Sequence, residues 1–255
     1  MKSCTGSNLV TVQYLPSETV RAGLCFHHGV QEHIGRYHNI FTKMADSGIA
    51  VYSLDAVGHG KSEGERGYVE KFSNLVDDFE TLCTTTLANA DAIQSPSSAS
   101  GRVPMFIGGH SLGGLVAAIT CLRDQSRWNG LLLSDPALDV EWTPMLRIQA
   151  ALGNLLAAVV PKARIVPAVD PKYMNRDPVK VQEYIDDPLN VVGPLAARTG
   201  NESLKAFRQL AKQRAELEVP VYAHHGTKDM VTSLKATQYV RINPFLSLIQ
   251  DFQIL

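Results

Sequence analysis

The chain is poor in aromatic residues, 7% of 255, and has no excess charge of either sign, with 24 Lys and Arg against 25 Asp and Glu. That balance excludes the basic footprint of a nucleic-acid binder. Long apolar runs are missing too. The longest uncharged one, Ala150 to Val160, has eleven residues including Gly153 and Asn154, too few to span a bilayer. Met1 to Asn8 lacks the apolar stretch of a signal peptide. The four cysteines, Cys4, Cys25, Cys83 and Cys121, form no CxxC pair. A reduced, cytoplasmic chain is therefore expected, rather than a disulfide framework or a cysteine zinc site. What is plentiful is apolar content, 45%, over a length that suits one large domain or two small ones with a substantial core.

Apolar runs and helical patterns alternate along the chain. Leu24 to Phe26 reads as a buried strand ending at His28-Gly29, and a helix follows from about Tyr37 to Ala45. Ile49 to Leu54 is the next strand. Asp55 to Gly67, with glycines at 58, 60, 64 and 67 and no periodicity, is a loop. Leu75, Phe79, Leu82 and Leu87 recur at helical spacing. Ser95 to Gly101 is a Ser/Pro linker, and Val103 to Ile107, Leu112 to Leu122 and Leu131 to Leu133 are strand, helix and strand. This rhythm predicts an α/β fold, a mostly parallel sheet with helices on both faces. It breaks at Asp135-Pro136 and returns at Val219 to Ala223. The proline-rich stretch between reads as an inserted helical cap, which divides the chain into a first core part (1–134), the cap (135–218) and a continued core (219–255).

Gly109-His110-Ser111-Leu112-Gly113 fits the G-x-S-x-G pattern, with a strand running in and an Ala/Leu/Val-rich helix running out. A sharp strand-to-helix turn strains the serine backbone and needs small residues two before and two after it. Ser111 is thus the candidate nucleophile. An oxyanion hole needs two N–H donors. The Leu112 amide is one, and the Val30 amide, in the loop after the Leu24 strand, is the candidate second. His28 is expected to hold that loop rather than to react. The acid of a triad follows a later strand, which makes Asp229, in the loop His224 to Asp229, its candidate.

Four ordered segments then carry a family resemblance. His28 to Tyr37 resembles the HGxxEHxxRY segment of monoacylglycerol lipases and related serine-aminopeptidase-like hydrolases, and Asp55 to Gly64 resembles their DxxGHGxSxG loop. Gly109 to Gly114 resembles their GHSxGG elbow, and Gly226 to Asp229 their GxxD turn. The resemblance implies an α/β-hydrolase core with a helical cap, no cofactor or metal, and hydrolysis of a small lipid ester such as a monoacylglycerol. It also implies that Glu32 and Arg36 bind the polar glycerol end, and that the cap offers an apolar channel and a peripheral membrane contact.

The sequence departs from the family after Thr237. All eight histidines lie at or before position 225, so none follows Asp229, where the family has its catalytic base. A further helix, strand and their connections take about 25 to 30 residues. Only 26 follow Asp229, and the tail from Val240 resembles nothing in the family. The last core strand and its covering helix are accordingly expected to be missing, leaving a strand edge open unless the tail covers it. A truncated or misread C-terminus and a real loss of the base both fit. His224 and His225, at the end of the strand that carries Asp229, are not expected to reach between it and Ser111. A catalytically silent ligand-binding homologue is the alternative. Lysophospholipid, phenolic-ester or peptide hydrolysis, or acyl transfer, remain open within the fold.

Other signals are weaker. Gly60-Lys61-Ser62 lacks the first glycine of a P-loop, since position 55 is Asp. His27, His28, His33 and His38 have no arranged partners to complete a metal shell. Asn201-Glu202-Ser203 is a glycosylation sequon, idle without secretion. Ala150 to Val160 reads as a cap helix, a role compatible with a peripheral anchor.

Overall fold

Side chains alternate across a strand. Leu24 and Phe26 accordingly pack with Phe41 and Val51 on one side of their strand, while Cys25 packs with Phe79 and Ile107 on the other. A strand buried on both faces needs a layer of helices on each. The computed structural model describes residues 1–90, 102–140, 144–238 and 248–252. The expected Ser95–Gly101 linker lies outside them.

The chain begins with β1 (Thr11–Tyr14), β2 (Ala22–His27), α1 (His38–Asp46), β3 (Ile49–Leu54) and α2 (Phe72–Ala90). β4 (Met105–His110), α3 (Leu112–Arg123) and β5 (Gly130–Ser134) follow. Next come α4 (Pro144–Val159), β6 (Arg164–Val166), α5 (Pro178–Asp186), β7 (Leu195–Ala196) and α6 (Ala197–Gln213). β8 (Val221–Gly226), α7 (Leu234–Gln238) and β9 (Leu248–Phe252) complete the described chain. The main sheet has the order β1-β3-β2-β4-β5-β8-β9, parallel except for β1. The expected α/β-hydrolase fold is thus the observed one. Helix α1 covers the Leu24 and Phe26 face, and α2, α3 and α6 cover the other.

Three boundaries differ from the sequence reading. β8 starts at Val221 and runs to Gly226, so His224 and His225 are strand residues rather than loop. Pro220, having no N–H, stands just before the strand and only accepts, from the Leu131 N–H at 2.9 Å. The stretch 135–218, expected as one cap, divides its contacts. α6 lies against α2 and α3, with Ala206, Phe207 and Leu210 in the main core. α4 packs along α6, burying Ala150 and Ala157 while Leu152, Leu155 and Val159 stay exposed.

The third difference is a correction. A last strand is present, because the tail supplies β9, paired in parallel with β8 from Tyr222↔Leu248 to Gly226↔Phe252. Leu, Ile and Phe suit a strand, and the free edge of β8 offers unpaired backbone groups to pair with. Among the described residues, the connection from β8 to β9 carries only the five-residue α7. No described helix is long and apolar enough to cross a membrane.

One contact fixes the centre of this frame. Helix α3 starts two residues after β4 ends, and its Gly113 lies directly against the carbonyl oxygens of His27 and His28, where a Cβ would collide. Backbone cannot yield there as a flexible side chain would. Gly113→Ala is therefore expected to cost about 1–3 kcal/mol, the range for overpacking. Urea unfolding followed by circular dichroism measures it, and an unchanged midpoint would refute the contact.

Candidate active site

In an open α/β sheet the crevice beyond the carboxyl ends of the strands gathers residues from several loops. β2 ends at His27, β4 at His110, β5 at Ser134 and β8 at Gly226. Val30, Ser111, Asp135 and Asp229 follow these ends and line one cavity of about 720 Å³. Glu32, Arg36 and His224 line it too, and Tyr173 and Tyr184 close it from the 135–218 stretch.

Ser111 has φ 52° and ψ −124°, a left-handed conformation that costs a side-chain residue strain. Its N–H donates to Ser134 O at 3.1 Å, and its carbonyl accepts from Gly114 and Ala137 at 3.0 and 2.9 Å. A Cβ at Gly109 would strike the Gly113 backbone, so the glycine spacing seen in the sequence has the expected cause. Leu112 opens α3, with its amide in the first turn of the helix, where backbone N–H groups lack helical acceptors. Val30 lies across the cavity in the β2 loop.

That loop is held by buried polar groups. The Ala56 N–H donates to His28 Nε2 at 3.0 Å, which puts the ring proton on Nδ1, donating to Gly29 O at 2.6 Å. His28 is a loop holder, as expected. Asp55 accepts from Ile34 N–H at 2.9 Å and Lys61 N–H at 2.8 Å, joining two segments of the family resemblance. Glu32 accepts from the Gly29 N–H at 2.6 Å, from the Tyr37 hydroxyl and from Arg36. Burial pushes the Glu32 carboxyl up, but His110, Arg36 and the Tyr37 and Gly29 hydrogen bonds outweigh it and hold it below the ordinary range. Glu32 thus spends both oxygens on its own loop. Arg36 lies under the Tyr184 ring, 4.8 Å from its centroid.

Asp229 accepts from Val231 N–H at 2.6 Å, Thr232 N–H at 3.0 Å and the Thr232 hydroxyl at 2.5 Å. His225 Nε2 lies 3.2 Å from Asp229 Oδ2, and its Nδ1 is 2.8 Å from Thr237 Oγ1. Burial raises the Asp229 carboxyl, but hydrogen bonds from His225, Thr232 and Val231 bring it well below the usual carboxylate range. His225 touches Asp229 but does not stand between it and Ser111, in line with the sequence reading: it is fully buried, and both ring nitrogens face partners other than Ser111. His224 lines the cavity with Nδ1 3.4 Å from Asp135 Oδ2. Asp135 and Thr232 escaped the sequence reading, and the one available signal was their place just past a strand end. Asn201, in the sequon, is buried and bonds to Asn154 at 3.0 Å.

Three buried histidines back the loop. Burial pushes His27 down to about 4, sets His28 well below its ordinary value and lowers His59. The unfolded chain therefore binds more protons below about pH 6.5. The stabilisation through His27 is complete above that pH and is lost as pH falls towards 4. Through His27 alone the protein is expected to be about 2 kcal/mol less stable at pH 5 than at pH 7.5. Urea midpoints at the two pH values test this, and a His27→Gln variant with an undiminished pH dependence would contradict it.

The geometry agrees with comparison to known proteins. The family model described as "Serine aminopeptidase, S33" matches residues 18–242. A monoacylglycerol lipase of Mycolicibacterium smegmatis is 30% identical, covering 88% of this chain and 76% of its own length. The crystal structure of Paleococcus ferrophilus monoacylglycerol lipase superposes with TM-score 0.77 at 25% identity, covering 96% of this chain and 88% of that one. A soluble variant of Saccharomyces cerevisiae monoglyceride lipase shares the fold at TM-score 0.81 and 19% identity, over 97% of this chain and 82% of that one. With its elbow, its sheet order and these matches, the chain belongs to the serine aminopeptidase S33 family of α/β-hydrolases.

Proposed function

We propose that this chain is an ester hydrolase of the monoacylglycerol-lipase type, acting through an acyl-serine at Ser111, and that these 255 residues by themselves turn over slowly because none after Asp229 is a histidine. The observation that carries the reading is the strained elbow holding Ser111 in a cavity of about 720 Å³ lined by Val30, Arg36 and Asp229. That size falls in the range of small-molecule sites. The monoacylglycerol substrate is taken from the names of the relatives.

In this mechanism Ser111 Oγ attacks the ester carbonyl. The Leu112 and Val30 amides hold the oxyanion, each worth about 3 kcal/mol in the transition state. The Ser111 proton passes to the imidazole, or without one to water, and on to the departing alcohol as the intermediate collapses; water then attacks the acyl-serine, freeing the acid and restoring the hydroxyl. Arg36, with Glu32 fixed behind it, meets the polar end of the substrate. Asp229 orients an imidazole that no residue after it in this chain supplies. Losing that histidine costs on the order of a million-fold in turnover. The second reading is a ligand-binding homologue that keeps the pocket.

Imidazole rescue separates the two. The protein alone is expected to cleave p-nitrophenyl butyrate and monoolein near background, and free imidazole to raise the rate in the native chain but not in Ser111→Ala. No Ser111-dependent rescue, with monoolein still bound, would favour the silent homologue. Turnover at ordinary enzyme rates, about 1–1000 per second, without imidazole would overturn the missing-base argument.

The exposed Leu152, Leu155 and Val159 on α4 support a peripheral membrane contact through this helix. Vesicle flotation is expected to retain the native chain and to release a Leu155→Glu, Val159→Glu variant. Equal retention of both would remove α4 from the contact.

A further inference from the structure

The cavity over Ser111 carries a charge pattern that a neutral glyceride does not use. Its carboxylates follow the strand ends and are already engaged. Glu32 accepts from the Gly29 N–H at 2.6 Å and pairs with Arg36. Asp229 accepts from the Val231 and Thr232 amides, and Asp135 accepts from the Gly226 N–H at 2.8 Å. The other cations come from different places: Lys172 and Arg176 line the cavity from the 135–218 stretch, and Lys228 from the turn after β8. We propose that this cavity takes an ester whose alcohol part carries a phosphate group, held by Lys172, Arg176 and Lys228. The inference rests on the ester-hydrolase reading and narrows its substrate class.

The state of each cation supports an incoming anion. Arg36 is answered by Glu32 and needs no second partner. Lys172 Nζ is 2.7 Å from Asp170 Oδ2 and 4.7 Å from the centre of the Tyr173 ring, which fixes where the ammonium stands. The Lys172 and Asp170 side chains are 63% and 47% exposed, and an ion pair so exposed holds its members weakly. With three N–H donors, the ammonium can serve a ligand oxygen as well. Lys228 forms no ion pair among the described residues, although it stands at the same cavity.

The number of cations argues for phosphate over carboxylate. A phosphate monoester brings three acceptor oxygens and nearly two negative charges at neutral pH. It can meet a guanidinium fork and two ammoniums together, where a single carboxylate would leave one unanswered. In a phosphorylated monoacylglycerol the phosphorus lies several bonds from the ester carbon. Within about 720 Å³ the ester can therefore rest at Ser111 while the head group reaches these side chains.

Calorimetric titration of the full chain with two ethers that cannot be hydrolysed, monooctyl glyceryl ether and its phosphate monoester, tests the inference by binding alone. At about 20 mM salt the phosphate ether is expected to bind about tenfold more tightly, the scale of three exposed ion pairs. The margin should shrink at about 150 mM, as screening shortens the reach of exposed charges. Lys172→Met combined with Lys228→Met is expected to remove most of the margin and to leave the neutral ether's affinity unchanged, which shows that the pocket still folds. Equal binding of the two ethers would overturn the inference and leave the ester reading standing, whereas binding of neither would overturn both. A margin undiminished in the double variant would also overturn it. So would the matching glyceric-acid ether, or inorganic phosphate alone, bound as tightly as the phosphate ether.

Discussion

Everything at the carboxyl edge of the sheet depends on one close approach, the first turn of α3 set against the carbonyl ends of β2. Gly113 permits it, since any Cβ would meet the His27 and His28 oxygens, and Gly109 permits the matching turn on the other side of Ser111. Ser111 is strained because the chain must leave β4 and enter α3 without a linking loop. The same contact sets how far the β2 loop stands from the elbow, and thus the gap between Val30 and Leu112. Buried polar groups then lock that distance. His28 ties the loop to Ala56, Asp55 ties it to Ile34 and Lys61, and Glu32 folds back on the Gly29 amide.

Much of this was legible in the sequence. The strands β2, β3, β4 and β5 are apolar on both faces, so a run such as Leu24-Cys25-Phe26 has no competing reading, and the elbow glycines announce a turn that only small residues can make. β8 was misplaced at both ends for a physical reason. Pro220 carries no N–H for a ladder, and two consecutive histidines look polar enough for a loop. His225 sits in the strand because Asp229, Thr232 and Thr237 answer both its nitrogens, and those partners lie four, seven and twelve residues further on. No local pattern reports such pairings.

The 135–218 stretch teaches a related lesson. Its prolines and its lack of strand rhythm mark an interruption, yet α6 within it belongs to the sheet's own cover. Helical pattern alone does not say which layer a helix joins. The buried Thr199 and Glu202 mark α6 as a core helix, since they accept from the Val69 and Phe72 amides across the fold. The tail was harder still. Its apolar residues suit a strand, but only the free edge of β8 that it meets says where that strand pairs.

Gln31, in the left-handed region at φ 60°, is where the roof meets the loop beneath it. Its carbonyl accepts from the Val191 N–H at 2.9 Å and the Tyr184 hydroxyl at 3.3 Å, while its amide donates to Gly193 O at 3.0 Å. His33, two residues on, holds Asp187 at 2.8 Å. Segment 184–193 and the backbone around Val30 are therefore mechanically one part. Lifting this section of the roof would turn the adjacent amide as well, so the opening of the chamber and the direction of the Val30 N–H, the proposed oxyanion donor, move on one lever.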